Sequence, residues 1–435
     1  MIETIKQLYS VFEQYPSIQT DTRKLKKGDL FFALKGENFN GNLFAIEAIE
    51  KGAAYAIVDE VPIPHEQLII VTNVLETLQE LAKYHRQQFT HLPNGNGIPF
   101  IAITGSNGKT TTKELVSKVL SAQYITYTTQ GNLNNHIGIP LTLLSIQKDA
   151  AFAVIEMGAN HQKEIESYCT YTLPTHGIIT NCGKAHLEGF GGEEGVKKGK
   201  GELFDFLKQT DGTAFIFNDE DYLQVMSKGI KRIFSYGTRH ADICGEIVQS
   251  EPFLQIKLTK GLNSISTIAT QLVGNYNLPN ILCAIAVGKY FNVPEEKIKL
   301  AIESYIPSNS RSQLIIKGDN HFILDAYNAN PSSMKLAIEN FAAIKAPKKI
   351  LLLGAMMELG KDSVKEHQQL IALIQQYQWE NVILVGGDYK NILHNYLFFN
   401  TVTDAAKWFH QQHFTTTYFL IKGSRSMQME KILEE

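Results

Sequence analysis

The chain has 435 residues, 44% of them hydrophobic, and a formal net charge of −3. That length suggests two to four domains at roughly 100–200 residues each, and the apolar content excludes a disordered chain. The near-neutral charge excludes the footprint of a general nucleic-acid binder, so bound anions must be held by local sites. Cys169, Cys182, Cys244 and Cys283 are scattered, with no C-x-x-C pair and no zinc spacing, which fits a reducing compartment. The N-terminal stretch lacks the basic start and apolar stretch of a signal peptide. No run approaches the roughly 18 apolar residues of a membrane span. A cytoplasmic protein without a membrane span is expected.

In chain order, residues 1–90 mix short strand-like runs (Leu30–Leu34, Tyr55–Val58, Gln67–Val71) with a helical run from Leu75 to Gln88. Thr90–Pro99 is rich in Gly, Pro and Asn and reads as a linker. The second segment, 98–311, opens with the apolar strand Phe100–Thr104, a Gly-rich turn, and a helix with Leu115, Val116, Val119 and Leu120 on one face. Ala151–Ile155, Gly177–Thr180 and Thr213–Phe217 read as further strands. Strands alternating with helices imply a mostly parallel sheet in an α/β fold. In the third segment, 312–435, Phe322–Leu324 precedes a helix opened by Pro331. Ile350–Leu353, Val382–Val385 and Tyr418–Ile421 complete a second doubly wound α/β unit.

The strongest local signal is Gly105-Ser106-Asn107-Gly108-Lys109-Thr110-Thr111, directly after a strand and directly before a helix. Glycines let backbone N–H groups approach phosphate, and the helix N-terminus adds a favourable dipole. Lys109 is placed for the β/γ-phosphates and the Thr110 hydroxyl for Mg²⁺. The spacing G-x-x-G-K-T is shorter than the general phosphate loop, which needs a glycine where Ile103 stands. Such a loop fits a kinase, a GTPase, a motor or a ligase. Glu156 ends the strand-like run AFAVIE, where a carboxylate reaches a nucleotide's metal or is simply solvated. His186 lies in the loop beyond another strand, and taken alone it reads equally as a polar surface group. Lys200, in the run Lys197-Lys-Gly-Lys200, reads on its own as part of a solvated charged face.

Together these segments resemble the Mur ligase family. The resemblance covers nearly the whole chain. It runs through Thr104–Glu114 (TGSNGKTTTKE), Gly131–Leu144 (GNLNNHIGIPLTLL), Glu156–His161 (EMGANH), Thr180–Gly191 (TNCGKAHLEGFG) and Lys198–Phe204 (KGKGELF). It continues with Gly274–Ala286 (GNYNLPNILCAIA), Leu324–Met334 (LDAYNANPSSM), Leu351–Gly360 (LLLGAMMELG) and Lys422–Arg425 (KGSR). The resemblance implies three domains: residues 1–90 for a UDP-sugar, 98–311 for ATP, and a Rossmann-like ligase domain over 312–435. It implies ATP with two Mg²⁺ ions, held by Thr110 and Glu156 and by His186 and Lys200. Lys200 would carry a CO₂-derived carbamate, which reverses the solvated reading of that residue. Asn280 would contact adenine, Arg311 the γ-phosphate and Asp325 the ribose, with Lys109, Lys200, His186 and Arg311 serving catalysis.

Within the family, Asp21-Thr-Arg23 and Gly28–Gly36 resemble the UDP-binding domain shared by the third- and fourth-step ligases of cell-wall peptide assembly. No Asp-Asn-Pro-Arg tetrapeptide of the diaminopimelate-adding step occurs, whereas Tyr327–Pro331 and Met357–Gly360 look like the fourth step. The implied substrates are UDP-N-acetylmuramoyl-tripeptide and D-alanyl-D-alanine, joined through an acyl phosphate by a monomer. Two positions depart from the family pattern. Asn40-Gly41-Asn42 stands where Asp-Gly-His is common, and Gly354-Ala355-Met356 where Gly-Asp-Met is common. Rival readings are a sister ligase adding one amino acid and a phosphate-loop ATPase that switches a partner.

Overall fold

The computed structural model describes residues 4–60, 63–90, 97–308 and 310–434. Residues 91–96 of the expected linker Thr90–Pro99 lie outside the described residues. The chain forms two compact units. One comprises Met1–Ala102, Tyr124–Ala159 and Lys163–Gly177; the other comprises Ile103–Gln123, Asn160–Gln162 and Ile178–Glu435.

In the first unit, Ile18–Gln19, Leu30–Phe32, Tyr55–Val58 and Leu68–Ile70 form a parallel sheet in that order. The strand expected over Leu30–Leu34 stops at Phe32, because the Leu34 N–H turns back onto the Phe32 carbonyl at 2.9 Å. Small residues make this layer thin: Ala33, Ala45, Ala48, Ala53 and Ala56 pack with Phe31 and Val58. Thr126–Thr128 pairs in parallel with Phe152–Glu156, whose five residues are all buried.

The helix Val74–Gln87 matches the periodic run and starts on Asn73, whose side chain accepts from the Glu76 N–H at 3.0 Å. Its last turn carries Arg86, which is buried. Arg86 Nε donates to the Thr172 carbonyl at 3.0 Å and Nη2 to the Leu173 carbonyl at 2.9 Å. These carbonyls end the helix Glu164–Thr172, where a cation is favoured. The guanidinium also lies 3.7 Å from the centre of the Phe100 ring. Arg86→Ala should therefore strand one buried and one part-buried carbonyl and lower unfolding stability by about 2–4 kcal/mol, read by urea denaturation.

In the second unit, Thr267–Ala269, Gln255–Lys260, Ile243–Gln249, Arg232–Gly237 and Thr213–Phe217 lie side by side in that order. The Arg232–Gly237 strand is parallel to both neighbours, but Ile243–Gln249, Gln255–Lys260 and Thr267–Ala269 pair antiparallel. A mostly parallel sheet is expected from the sequence, with no strand placed at this antiparallel end. The strand Gln255-Ile-Lys-Leu-Thr-Lys260 alternates, with Ile256 and Leu258 buried, and alternation marks half-exposed antiparallel strands.

A further six-stranded sheet runs Gln313–Lys317, Asn320–Asp325, Thr417–Lys422, Lys348–Gly354, Asn381–Val385 and Leu397–Phe399. Only its first pair is antiparallel. This is the doubly wound pattern expected for the third segment, with the helix Pro331–Ala343 opened by Pro331 as read from the sequence.

Glu295 opens the helix Glu295–Glu303 and ties down the turn at residues 263–264. Its carboxylate accepts from Asn263 N, Ser264 N (2.8 Å) and Ser264 Oγ (2.6 Å), and pairs with Lys289 at 3.0 Å. Burial pushes this carboxyl up, but the Ser264, Lys289 and Asn263 bonds outweigh it and hold the group at about 2 against an ordinary 4.5. A depressed carboxyl stabilises the fold above its ordinary value and loses that contribution on acidification. Stability should thus fall between pH 4.5 and about 2 in the wild type, and this component should be missing from an acid titration of Glu295→Gln.

Candidate functional site

The phosphate-loop strand Phe100–Thr104 is buried at every residue and ends in Gly105 at φ +143°. A Cβ on Gly105 would collide with the Thr180 hydroxyl, and one on Gly108 would lie 2.7 Å from Asn280 Oδ1. Gly108, at φ +80°, starts the helix Lys109–Ser121 with no side-chain cap. A helix N-terminus of this kind favours an anion through its dipole. Lys109 Nζ donates to the carbonyls of Gly105 (2.6 Å) and Ser106 (3.3 Å). Ser106 Oγ donates to the Gly183 carbonyl at 2.9 Å, and the Asn107 N–H donates to Asn181 Oδ1 at 3.0 Å. Thr110 is buried and Thr111 half-buried.

The loop 180–191 lies against this turn. Thr180 Oγ1 and Asn181 Nδ2 both donate to the Asn107 carbonyl, at 2.6 and 3.0 Å. His186, in the left-handed region at φ +51°, places Nδ1 2.5 Å from Glu358 Oε2. The neighbouring imidazole holds the Glu358 carboxyl below its ordinary range. Glu358 is itself left-handed at φ +63°. Strain at two facing non-glycine residues is characteristic of functional positions. Lys184 Nζ pairs with the buried Glu366 at 2.8 Å, which keeps that amine protonated.

Lys200 is 1% exposed, with Nζ 4.8 Å from the centre of the Phe190 ring. The solvated-face reading of its basic run is thereby corrected: Lys200 falls with Val196, Leu203 and Leu207 on the inner side of the helix Glu193–Gln209, while Lys198 is exposed. Asn280, near the start of the apolar helix Leu278–Tyr290, accepts from Thr112 Oγ1 at 3.0 Å and donates to Asn277 Oδ1 at 2.9 Å. The Arg311 guanidinium stacks on the Tyr327 ring, 3.5 Å from its centre. Asp325 Oδ2 accepts from Lys422 Nζ at 2.6 Å, and Oδ1 from the Ser312 N–H at 3.3 Å.

The phosphate loop, His186, Lys200, Asn280, Arg311 and Asp325 all belong to the second unit. Glu156 belongs to the first unit, where it is 1% exposed, accepts from Asn134 Nδ2 at 2.8 Å and donates its N–H to Thr129 Oγ1 at 3.0 Å. In the same unit Arg23 grips Asp21 through two bonds of 2.8 Å. Among the described residues, no group of three or more His, Cys, Asp or Glu gathers to hold a metal ion.

Asn181, Glu358 and Lys422 were not singled out as site residues. The signal for Lys422 and Glu358 lay in the quoted motifs KGSR and MELG, and for Asn181 in its place beyond the strand His176–Ile179. A cavity of about 440 Å³, lined by Met356, Met357, Glu358, Gly387, Asp388 and Lys390, opens beyond the carboxyl ends of Lys348–Gly354 and Asn381–Val385. That is where open α/β sheets bind ligands. The unusual Ala355 sits against Gly387, at φ +57°, whose own Cβ would meet its methyl group. A larger polar side chain at 355 would need that contact to give way.

Three family models match: Mur ligase family, catalytic domain over residues 14–91; Mur ligase middle domain over 103–288; and Mur ligase, glutamate ligase domain over 310–425. The chain belongs to the Mur ligase family. Among curated Mur ligases, the UDP-N-acetylmuramoyl-tripeptide--D-alanyl-D-alanine ligase of Bacillus subtilis strain 168 is 34% identical over 96% of this chain and 92% of its own length. The enzyme of that name from Escherichia coli K12 is 32% identical over 96% and 92%. A crystal structure of MurF from Acinetobacter baumannii superposes with a TM-score of 0.85 at 31% identity, covering 96% of this chain and 92% of that one. MurF ligase from Thermotoga maritima in complex with ADP gives 0.85 at 25% identity, with 96% of each chain covered. The three Mur ligase domains therefore sit in a mixed α/β fold with mostly parallel sheets. No helix among the described residues is long and apolar enough to cross a membrane.

The Asp325–Lys422 pair gives a stability test. Lys422 is 2% exposed, so Asp325→Ala leaves a buried ammonium, and the expected cost is about 3–5 kcal/mol. Asp325→Ala combined with Lys422→Met should recover part of that loss in thermal unfolding.

Proposed function

We propose that this Mur ligase joins D-alanyl-D-alanine to UDP-N-acetylmuramoyl-tripeptide at the expense of ATP, giving UDP-muramoyl-pentapeptide, ADP and phosphate. The observation that carries the reading is similarity along the whole chain, N-terminal segment included, to curated ligases of that name at 31–34% identity. The ligase adding 2,6-diaminopimelate shares the fold at 17% identity. The protein would work in the cytoplasm as a soluble monomer of peptidoglycan synthesis, with consequences for cell shape and division. Residues 1–90 would take the UDP-sugar, 98–311 the ATP, and 312–435 would complete the site.

Amide formation from a carboxylate in water is uphill, so the tripeptide carboxylate first attacks the γ-phosphorus and ADP leaves. The dipeptide amine then attacks the acyl phosphate carbon, the C–O bond to phosphate breaks, and the amine proton leaves with phosphate or solvent. Lys109 would swing from the Gly105 and Ser106 carbonyls to the β/γ-phosphates. Residues 105–111 would cradle the phosphates with backbone N–H groups. Asn280 would meet adenine, Asp325 the ribose and Arg311 the γ-phosphoryl. Charge neutralisation is the main task in such transfers, and loss of one such group commonly costs about 10²–10³ in rate.

Thr110 and Glu156 offer the hard oxygen donors that Mg²⁺ prefers. His186 would serve a second ion, with Lys200 as a carbamate, since an ammonium cannot ligate. Two bound ions would supply charge neutralisation at the phosphoryl group and the incoming carboxylate. The cavity beside Glu358 would receive the dipeptide.

The test is phosphate release from ATP with UDP-muramoyl-tripeptide, Mg²⁺ and bicarbonate, with and without D-alanyl-D-alanine. Release should depend on the dipeptide and fall by about 10²–10³ in Lys109→Ala. Release indifferent to both peptide substrates would favour a phosphate-loop ATPase. Release only with the dipeptide-sugar and a diamino acid would assign the preceding step.

A further inference from the structure

The segment Tyr327–Ser333 identifies the family pattern, yet the proposed chemistry gives Asn330 and Ser332 no task. The geometry supplies one. Asn330 is buried and caps the helix Pro331–Ala343: its Oδ1 accepts from the Ser333 N–H at 2.9 Å, and Ser333 Oγ accepts in return from the Asn330 N–H at 3.1 Å. That cap fixes which way the amide points. Nδ2 is turned to the phosphate loop, where it donates to Asn107 Oδ1 at 2.7 Å.

Asn107 is consequently held at every polar group named so far: its N–H by Asn181 Oδ1, its carbonyl by Thr180 and Asn181, and its side-chain carbonyl by Asn330. Two residues on, Ser332 Oγ accepts from the Lys184 N–H at 2.9 Å, in the loop that carries His186. One helix N-terminus therefore pins both loops of the candidate site, each through a single side chain. A cap alone would need only an acceptor at position 330. The donor half of the amide is surplus to capping and is spent on the phosphate loop.

We propose that Asn330 is a positioning residue for nucleotide: acting through Asn107, it holds the Ser106–Gly108 turn in the shape that receives phosphate. The inference rests on the nucleotide-binding part of the proposed function and is independent of which amine is ligated. Fixing a loop before binding removes the cost of ordering it afterwards.

Asn330→Asp separates the two roles. The aspartate keeps the acceptor for the Ser333 N–H but sets an oxygen against Asn107 Oδ1 where a donor stood. Mg-ADP affinity, measured by isothermal titration calorimetry, should fall by about three- to tenfold, the size of one hydrogen bond, while the melting temperature stays at the wild-type value. In an Asn107→Ala background the same substitution should cause no further loss. Unchanged ADP affinity in Asn330→Asp would overturn the proposal, as would equal losses in both backgrounds. The double-mutant comparison holds even if Asn330→Asp lowers the melting temperature, because a purely structural loss persists when Asn107 is gone. A wild type that fails to bind Mg-ADP overturns the coupling together with the nucleotide reading. One that binds ADP but ignores D-alanyl-D-alanine refutes only the choice of substrate.

Discussion

The absence of two side chains governs the rest of the site. Gly105 and Gly108 bring the backbone of the phosphate loop against Thr180 and Asn280, and neither position has room for a Cβ. Both sit at positive φ, where glycine carries no steric penalty. The close approach lets Thr180 and Asn181 bond the loop's main chain directly. It also lets the helix Lys109–Ser121 begin on a glycine with no side-chain cap, and such a helix start favours an anion through its dipole. Loop, strand end and helix start are thus one construction, and moving any of the three displaces the others.

Around that construction the unit buries charge, and two of the buried groups, Lys422 and Glu366, are met by a partner of opposite sign. Lys422 is met by Asp325 at 2.6 Å and by the Asn328 carbonyl at 3.1 Å, so one ammonium joins two adjacent strand ends to the turn that follows them. Lys184 is answered by the buried Glu366. These pairs are expensive to break from one side only, which makes them positional as much as stabilising. Asp325, expected from the family resemblance to meet a ribose, is oriented by this pair through one oxygen and by the Ser312 N–H through the other.

What the sequence made legible follows from its signals. The phosphate-loop strand and helix were readable because an apolar run, paired glycines and a one-faced helix agree. The strands Tyr55–Val58 and Thr213–Phe217 coincide with the runs read from sequence, since fully buried strands are nearly continuous in apolar residues. The strands from Ile243 to Ala269 are harder to read because exposed polar residues interrupt their apolar runs, as Lys257, Thr259 and Lys260 do in Gln255–Lys260. Lys200 was misread for the opposite reason. Three lysines in four residues look like a charged surface, and only the helical period, with Val196 and Leu203 on its side, turns one of them inward. Contacts such as Asn330 with Asn107, 223 residues apart, have no local signature at all.

The departures from the family pattern obey the same logic. Asn42 stands where histidine is common, and it is buried. Its Nδ2 donates to Asp59 Oδ1 at 2.8 Å and to Asn40 Oδ1 at 2.9 Å, while its Oδ1 accepts from the Asp59 and Glu60 N–H groups at 3.1 and 3.3 Å. Gly41 leaves no latitude, because a Cβ there would run into the Leu34 carbonyl and the Ala33 carbon. The bonds at position 42 therefore call for a side chain that donates and accepts at once. A neutral imidazole can do both, but it gives up its acceptor on protonation. An amide keeps both functions at every physiological pH, so Asn42 itself adds no titrating group to the turn at residues 59–60. The acid sensitivity of the turn then rests with Asp59, whose carboxyl burial pushes up but the Lys35, Asn42 and Val74 bonds hold below its ordinary range.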